Sequence, residues 1–229
     1  MTASTWAIVI ASGKDEMLDA ETCTAFLSVN NRPVLSYCLT ALEKCPEVDG
    51  VIIVAPKDRL EQVVSVIQMY GCHKVRKIVP GANTEYSSFQ NCLKYADDDA
   101  GLFVLLEASR PGFRADDASA LVKAGKKHGA VMAGQAIKDN TALVSKTGAI
   151  EDYPEAGTVW RYSLPMALKR DVLDKAATVI KRKKKNPKTL EEAVDLAGQE
   201  FRLAALDHLP QKIVTARDLD AVGHALASA

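Results

Sequence analysis

Unbroken apolar runs alternate along this chain with stretches whose apolar positions recur every three or four residues. Ala7-Ile8-Val9-Ile10-Ala11, Val51-Ile52-Ile53-Val54-Ala55 and Leu102-Phe103-Val104-Leu105-Leu106 are continuous. Such runs read as strands buried on both faces, as in parallel sheets. Val75 to Val79 and Ala130 to Ala133 are weaker strands of the same kind. Between them Val34, Leu35, Cys38, Leu39 and Leu42 fall at helical spacing, with Asn31-Arg32-Pro33 opening the helix and proline in an early helical position. Leu60, Val63, Val64 and Ile67 mark a second helix, stopped by Gly71. A third runs through Phe89, Leu93 and Tyr95 after a turn at Pro80 to Thr84, and a fourth from Ala115 to His128 is closed by Gly129.

Beyond the fifth strand the pattern changes. Ala142 to Ser145, a Lys146-Thr147-Gly148 turn and Ala149-Ile150 read as an extended hairpin. Thr158 to Tyr162 resumes a strand, and the spacing of Leu168, Val172, Leu173, Ala176, Val179 and Ile180 predicts a helix from Pro165 to Ile180. Thr189-Leu190-Glu191-Glu192 opens another helix, with Thr189 as cap. Phe201 to Leu206 and Ile213-Val214 read as late strands, and Ala216 to Ala227 as the closing helix. Strands alternating with helices of this length imply right-handed crossovers. The expected fold is therefore α/β, a mostly parallel, doubly wound sheet in one domain over 1–229, with a protruding β-arm near 139–158.

Composition narrows the function classes. The 29 acidic and 29 basic residues cancel, which argues against nucleic-acid binding driven by overall charge. No apolar run reaches the length of a membrane span, and the N-terminus lacks the pattern of a signal peptide. Five cysteines without C-x-x-C spacing read as reduced, mostly buried thiols of a cytoplasmic protein. Asp97-Asp98-Asp99 reads as a solvated loop, because three successive side chains diverge. Lys181 to Lys185 is a basic run at a helix C-terminus, where the macrodipole favours cations; a site for an anionic partner is its sharper reading.

In open α/β sheets ligands bind outside the carboxyl ends of the strands. The loops to inspect are therefore Ala11-Ser12-Gly13-Lys14-Asp15-Glu16-Met17 and Glu107-Ala108-Ser109-Arg110-Pro111. The first holds a single cation, Lys14, against Asp15, Glu16, Asp19 and Glu21. Gly13-Lys14 is no Walker loop, since Asp15 replaces the hydroxyl residue.

Taken in order, these loops resemble those of the methylerythritol phosphate cytidylyltransferases and their ribitol phosphate relatives over nearly the whole chain. The family pattern A-A-G-x-G-x-R-M, then P-K-Q-Y/F-L, is matched by Ala11 to Met17 and Cys23 to Leu27. Its G-G-x-x-R-x-x-S-V is matched by Gly81 to Phe89, and its D-A-A-R-P by Glu107 to Pro111. Its later D-T falls on Asn140-Thr141, and its L-W-x-x-x-T-P-Q on Val159-Trp160 and Leu164-Pro165-Met166. The resemblance implies a Rossmann-like nucleotidyltransferase sheet of the GT-A kind and attack of a sugar-alcohol phosphate on the α-phosphate of CTP, with Mg²⁺. It further implies Arg110 and Lys212 as catalytic cations, with Lys14 as a substitute cation for the family Arg and Lys that are missing, and Ala11, Ser12, Gly13, Gly81 and Ser88 as nucleotide contacts. Thr141 is implied as a substrate contact, Glu107 as the metal ligand, and a homodimer through the arm, without nucleic acid or membrane as partner. The late family Lys falls on Lys212 or on Ile213, depending on which flanking residues are aligned.

Several matched positions differ from the family pattern. The first-loop Arg falls on Met17 and its second Gly on Asp15. The P-K pair falls on Cys23-Thr24, and the third-loop Arg on Glu85. The Arg before the tryptophan strand falls on Ala156, and the Thr of T-P-Q on Leu164. Removing one preorganised donor typically costs about 100- to 1000-fold in rate. Two readings stand at this stage: a cytidylyltransferase, and a catalytically impaired homologue acting as a binding or regulatory module.

Overall fold

The computed structural model describes residues 3–12 and 23–227. Strand β1 (Ser4–Ile10) leads, after the undescribed stretch, to a small hairpin of β2 (Ser28–Val29) and β3 (Arg32–Pro33). Asn30 and Asn31 close that hairpin with φ of 49° and 59°, the paired left-handed conformation that a two-residue turn demands. Pro33 thus ends β3 and caps α1 (Val34–Lys44), rather than lying inside the helix as its position suggested. The chain continues through β4 (Gly50–Ala55), α2 (Leu60–Tyr70), β5 (Val75–Pro80), α3 (Glu85–Leu93), β6 (Ala100–Glu107), α4 (Ala115–His128) and β7 (Ala130–Ala136). A separate hairpin of β8 (Leu143–Val144) and β9 (Ile150–Asp152) precedes β10 (Trp160–Lys169) and α5 (Arg170–Lys183). The chain ends with α6 (Leu190–Leu196), β11 (Arg202–Ala205) and α7 (Ala216–Ala227).

One sheet has the order β11-β7-β10-β6-β1-β4-β5. Only β10 runs against its neighbours β6 and β7; the other pairings in this sheet are parallel. Alternation along the strands builds a core on each face. Ala7, Val9, Ile53, Val104 and Leu106 meet Leu35, Leu39 and Leu121 from α1 and α4. Trp6, Ile8, Ile52, Phe103 and Leu105 meet Phe89, Leu173, Leu190 and Val194 from α3, α5 and α6. Gly50 allows Trp6 to lie flat there, since a Cβ on it would sit 2.8 Å from the indole. No helix among the described residues is long and apolar enough to cross a membrane.

Two elements differ from the sequence expectation. Pro165 to Lys169 belongs to β10, and the helix starts only at Arg170. The reason is a coincidence of periods: Leu168 and Val172, buried in the same core, are four apart, one helical turn and also two strand repeats. Met166 and Leu168 fill one core and Ala167 the other, the alternation of a strand. Ile213-Val214 forms no strand either. It is a loop whose Ile213 is fully buried against Val29, Val34 and Val222. The five cysteines are all buried.

Candidate functional site

Because β10 alone is reversed, the carboxyl ends of β1, β4, β5, β6 and β7 open on one edge of the sheet. At that edge β1 is pinned from both sides. Ala11 N donates to Val54 O at 2.7 Å, and Ala108 N donates to Ile10 O at 2.8 Å. Cys23 Sγ donates to Ala11 O at 3.0 Å, so the chain returns to the point where β1 ends. Gly13 and Lys14 lie outside the described residues.

Ser12 and Gly81 face one another: a Cβ on Gly81 would sit 3.1 Å from Ser12 Oγ. The turn that carries Gly81 is held from beneath. Buried Ser88 accepts from Ala82 N at 2.9 Å, and Thr84 caps α3 in reciprocal bonds with Ser87. Ser88 thereby shapes the loop whose backbone faces the edge.

A second group stands at the end of β6. Arg110 Nε donates to Glu107 Oε2 at 2.9 Å, and Lys212 Nζ donates to Glu107 Oε1 at 3.1 Å. Arg110 Nη1 also donates to Pro210 O at 2.9 Å, and Ile213 N to Ser109 O at 2.9 Å. The two loops are therefore zipped together, with Lys212 reaching Glu107 and Ile213 packing against Val29, Val34 and Val222. Thr141 lies past the carboxyl end of β7, at the base of the β8–β9 hairpin. Among the described residues no hydrogen bond joins it to either group.

Glu85, which the sequence marks only as the position of the family's third-loop Arg, stands close enough to Glu107 and Lys212 to feel their charges. It sits in the first turn of α3, and its Oε1 accepts from Leu190 N at 3.0 Å. Burial pushes its carboxyl up to about 7. The Leu190 bond and Lys212 act against that rise, and the negative charges of Glu191 and Glu107 add to it. Thr24, matched to the family Lys, is buried in a short 3₁₀ turn.

A divalent cation bound with a nucleotide takes one or two protein carboxylates and several phosphate and water oxygens. Glu107 fits the single-carboxylate version, each of its oxygens holding one hydrogen-bond donor and retaining a lone pair. A cage built by protein alone is excluded among the described residues, where no three His, Cys, Asp or Glu side chains converge.

The geometry has close counterparts among known proteins. The 2-C-methyl-D-erythritol 4-phosphate cytidylyltransferase of Pelotomaculum thermopropionicum is 28% identical over 214 residues, covering 93% of this chain and 90% of the relative. That of Clostridium botulinum is 26% identical, with 93% of each covered. The crystal structure of 4-diphosphocytidyl-2C-methyl-D-erythritol synthase from Anaerococcus prevotii superposes with a TM-score of 0.83 at 18% identity, covering 99% of this chain and 100% of that one. The cytidylyltransferase structure from Thermus thermophilus gives 0.71 at 19% identity, with both chains fully covered. These structural likenesses establish the shared fold. The sequence model of one family runs from residue 5 to residue 227, through every strand and loop of the carboxyl edge, and by that match the chain belongs to the 2-C-methyl-D-erythritol 4-phosphate cytidylyltransferase family.

Proposed function

We propose that this protein transfers CMP from CTP to a sugar-alcohol phosphate of the methylerythritol phosphate type, a step of isoprenoid biosynthesis, in the cytoplasm. The observation that carries the reading is the joining of Glu107, Arg110 and Lys212 at the end of β6, on the edge where Ser12 faces Gly81, in a chain matched by the family over 5–227.

In the reaction a phosphate oxygen of the polyol phosphate attacks the α-phosphorus of CTP. The bond to the bridging oxygen breaks and pyrophosphate leaves with the electron pair. Little covalent work falls to the protein, so catalysis is positioning and charge stabilisation. Arg110 is the less exposed cation of the site, 16% against 35% for Lys212, and its bonds to Glu107 and Pro210 fix the loop. Lys212 is free to swing from Glu107 onto a phosphate. Mg²⁺, bound by Glu107 and the nucleotide, would neutralise charge building on the phosphates. Ser12, Gly13 and the Gly81 turn offer backbone and hydroxyl groups to the nucleotide, Ala11 anchors that loop through its own backbone bonds to Val54 and Cys23, Lys14 adds a cation, and Thr141 contacts the acceptor phosphate. The exposed Leu143, Val144, Ile150 and Tyr153 of the arm support a homodimer joined there.

A second reading, binding without turnover, is favoured by one observation: Glu85 and Thr24 stand where the family pattern carries Arg and Lys. Pyrophosphate release with CTP, Mg²⁺ and methylerythritol phosphate decides between them. Turnover that vanishes in Arg110→Ala supports the transferase. CTP binding by calorimetry without pyrophosphate release supports the second reading, and no CTP heat at millimolar concentration sinks both.

A further inference from the structure

The basic run lies beside this site. The last strand pair of β10 with β6 sets Lys169 opposite Leu102, at the amino edge. From there α5 runs back for 14 residues, about 21 Å at helical rise. The stretch of β6 from Leu102 to Glu107 spans about 17 Å at strand rise. The end of α5 therefore stands level with Glu107 at the carboxyl edge. Packing agrees: Ile180, in the last turns of α5, shares a cluster with Ala193 and with Tyr86, the neighbour of Glu85. The chain then returns to α3, where Tyr86 N donates to Lys188 O at 3.0 Å and Glu85 accepts from Leu190 N.

Six cations occupy this return: Lys181, Arg182, Lys183, Lys184, Lys185 and Lys188, with no acid among residues 181–188. All six are exposed. Among the described residues none of them has a carboxylate within ion-pair distance. Lys183 caps Leu196 O at 3.3 Å, while Glu192 and Asp195 face the run across a groove. The helix dipole accounts for part of this only. Its terminal charge of about half an electron is felt within the last turn, and Lys185 and Lys188 lie beyond it. Lys184 is also the left-handed C-cap at φ 51°, a position where Gly is the usual residue. A lysine there spends local backbone stability on keeping a charge.

We propose that residues 181–188 form a cationic rim that draws the triphosphate of CTP onto the carboxyl edge, supplying at longer range the charge that Thr24 and Glu85 do not supply by contact. This rests on the reading of that edge as a CTP site. Attraction across roughly one Debye length, about 10 Å at moderate salt, raises ligand encounter without ordered contacts.

The test is CTP affinity by calorimetry at low and high salt, for the intact protein and for the combined variant Lys181→Gln, Arg182→Gln, Lys184→Gly and Lys185→Gln. Its four positions are exposed, so the fold persists, and a melting curve checks this. The unaltered protein is expected to lose about tenfold in affinity between about 25 mM and 300 mM salt. The variant should start about tenfold weaker and lose clearly less than the unaltered protein over the same salt range, the remainder coming from Arg110 and Lys212. Uncharged cytidine should bind both alike, and a second variant with arginine at the same four positions should behave as the unaltered protein. A glutamine variant that equals the unaltered protein at both salts overturns the rim and leaves the CTP site standing. Absence of CTP binding by the unaltered protein at either salt removes the CTP site and the rim together.

Discussion

Lys212 Nζ lies 3.1 Å from Glu107 Oε1 across 105 residues of sequence. The bond brings the loop before α7 onto the end of β6, and it leaves the cation partly open to solvent. Lys212→Ala should lower pyrophosphate release about 100-fold, the size of effect seen when one preorganised donor is lost. Stability should change by only about 1 kcal/mol, because the pair is partly open to solvent and Arg110 still holds Glu107. Glu107→Gln should divide the two properties: it frees both cations, so metal-free CTP binds more tightly, and it weakens the metal site, so turnover falls. Unchanged turnover in Lys212→Ala would remove this residue from the chemistry.

Glu85 gives the site a pH dependence with a defined sign. Its carboxyl is raised from 4.5 to about 7, so between those values the folded state holds a proton that the unfolded state has lost. Stability therefore falls as pH rises through this window. Below the window Glu85 is neutral in both states and carries no penalty. Above it the full cost applies, about 1–2 kcal/mol after solvent screening. Glu85→Gln keeps an acceptor for Leu190 N and removes the charge. Its melting temperature should match the unaltered protein near pH 4.5 and exceed it at pH 8. The same substitution should tighten CTP binding at pH 8. Parallel melting curves for the two proteins across that range would show that Glu85 titrates normally.

Glu85 also shows where sequence reading stops. Its charge state is set by α6 closing over α3 and by Glu107 and Lys212, none of them near it in the chain. The central strands were legible because both of their faces are buried, which leaves an unbroken apolar run as the only possible pattern. The boundary between β10 and α5 was not, since the four-residue spacing of Leu168 and Val172 satisfies both periods. Arg110 drew notice through the match of Glu107 to Pro111 at the end of the strongest strand, but its bonds to Glu107 and Pro210 needed the fold. That Lys212 meets Glu107 while Ile213 packs against Val29 was not legible, because both contacts join segments far apart in the chain.

The β8–β9 hairpin is expected to join two copies. Leu143, Val144 and Ile150 are 55%, 59% and 53% exposed, on a two-stranded ribbon that is marginal in water by itself. Light scattering should give the mass of a dimer. Val144→Asp with Ile150→Asp should give a monomer with its melting transition retained, because neither residue belongs to the cores. A monomer in the unaltered protein would refute the arm as an interface.

Gly81 and Ser12 offer a test of the nucleotide edge that does not touch a charge. A Cβ on Gly81 would meet Ser12 Oγ at 3.1 Å and Ser12 Cβ at 3.2 Å, closer than ordinary van der Waals contact. Gly81→Ala must therefore push the loop after β5 away from the loop after β1. Neither Gly81 nor Ser12 belongs to the two cores, so the melting temperature should move by no more than about 4 °C. CTP affinity should fall about tenfold, because backbone groups on both loops are displaced together. The atoms in conflict all belong to the Ser12 side chain, so Ser12→Gly in the same chain removes the clash. The double variant should then recover most of the affinity lost by Gly81→Ala, while Ser12→Gly alone loses only the hydroxyl contact. If the double variant is no better than Gly81→Ala, the two loops do not form one binding surface, and the nucleotide sits elsewhere on the edge.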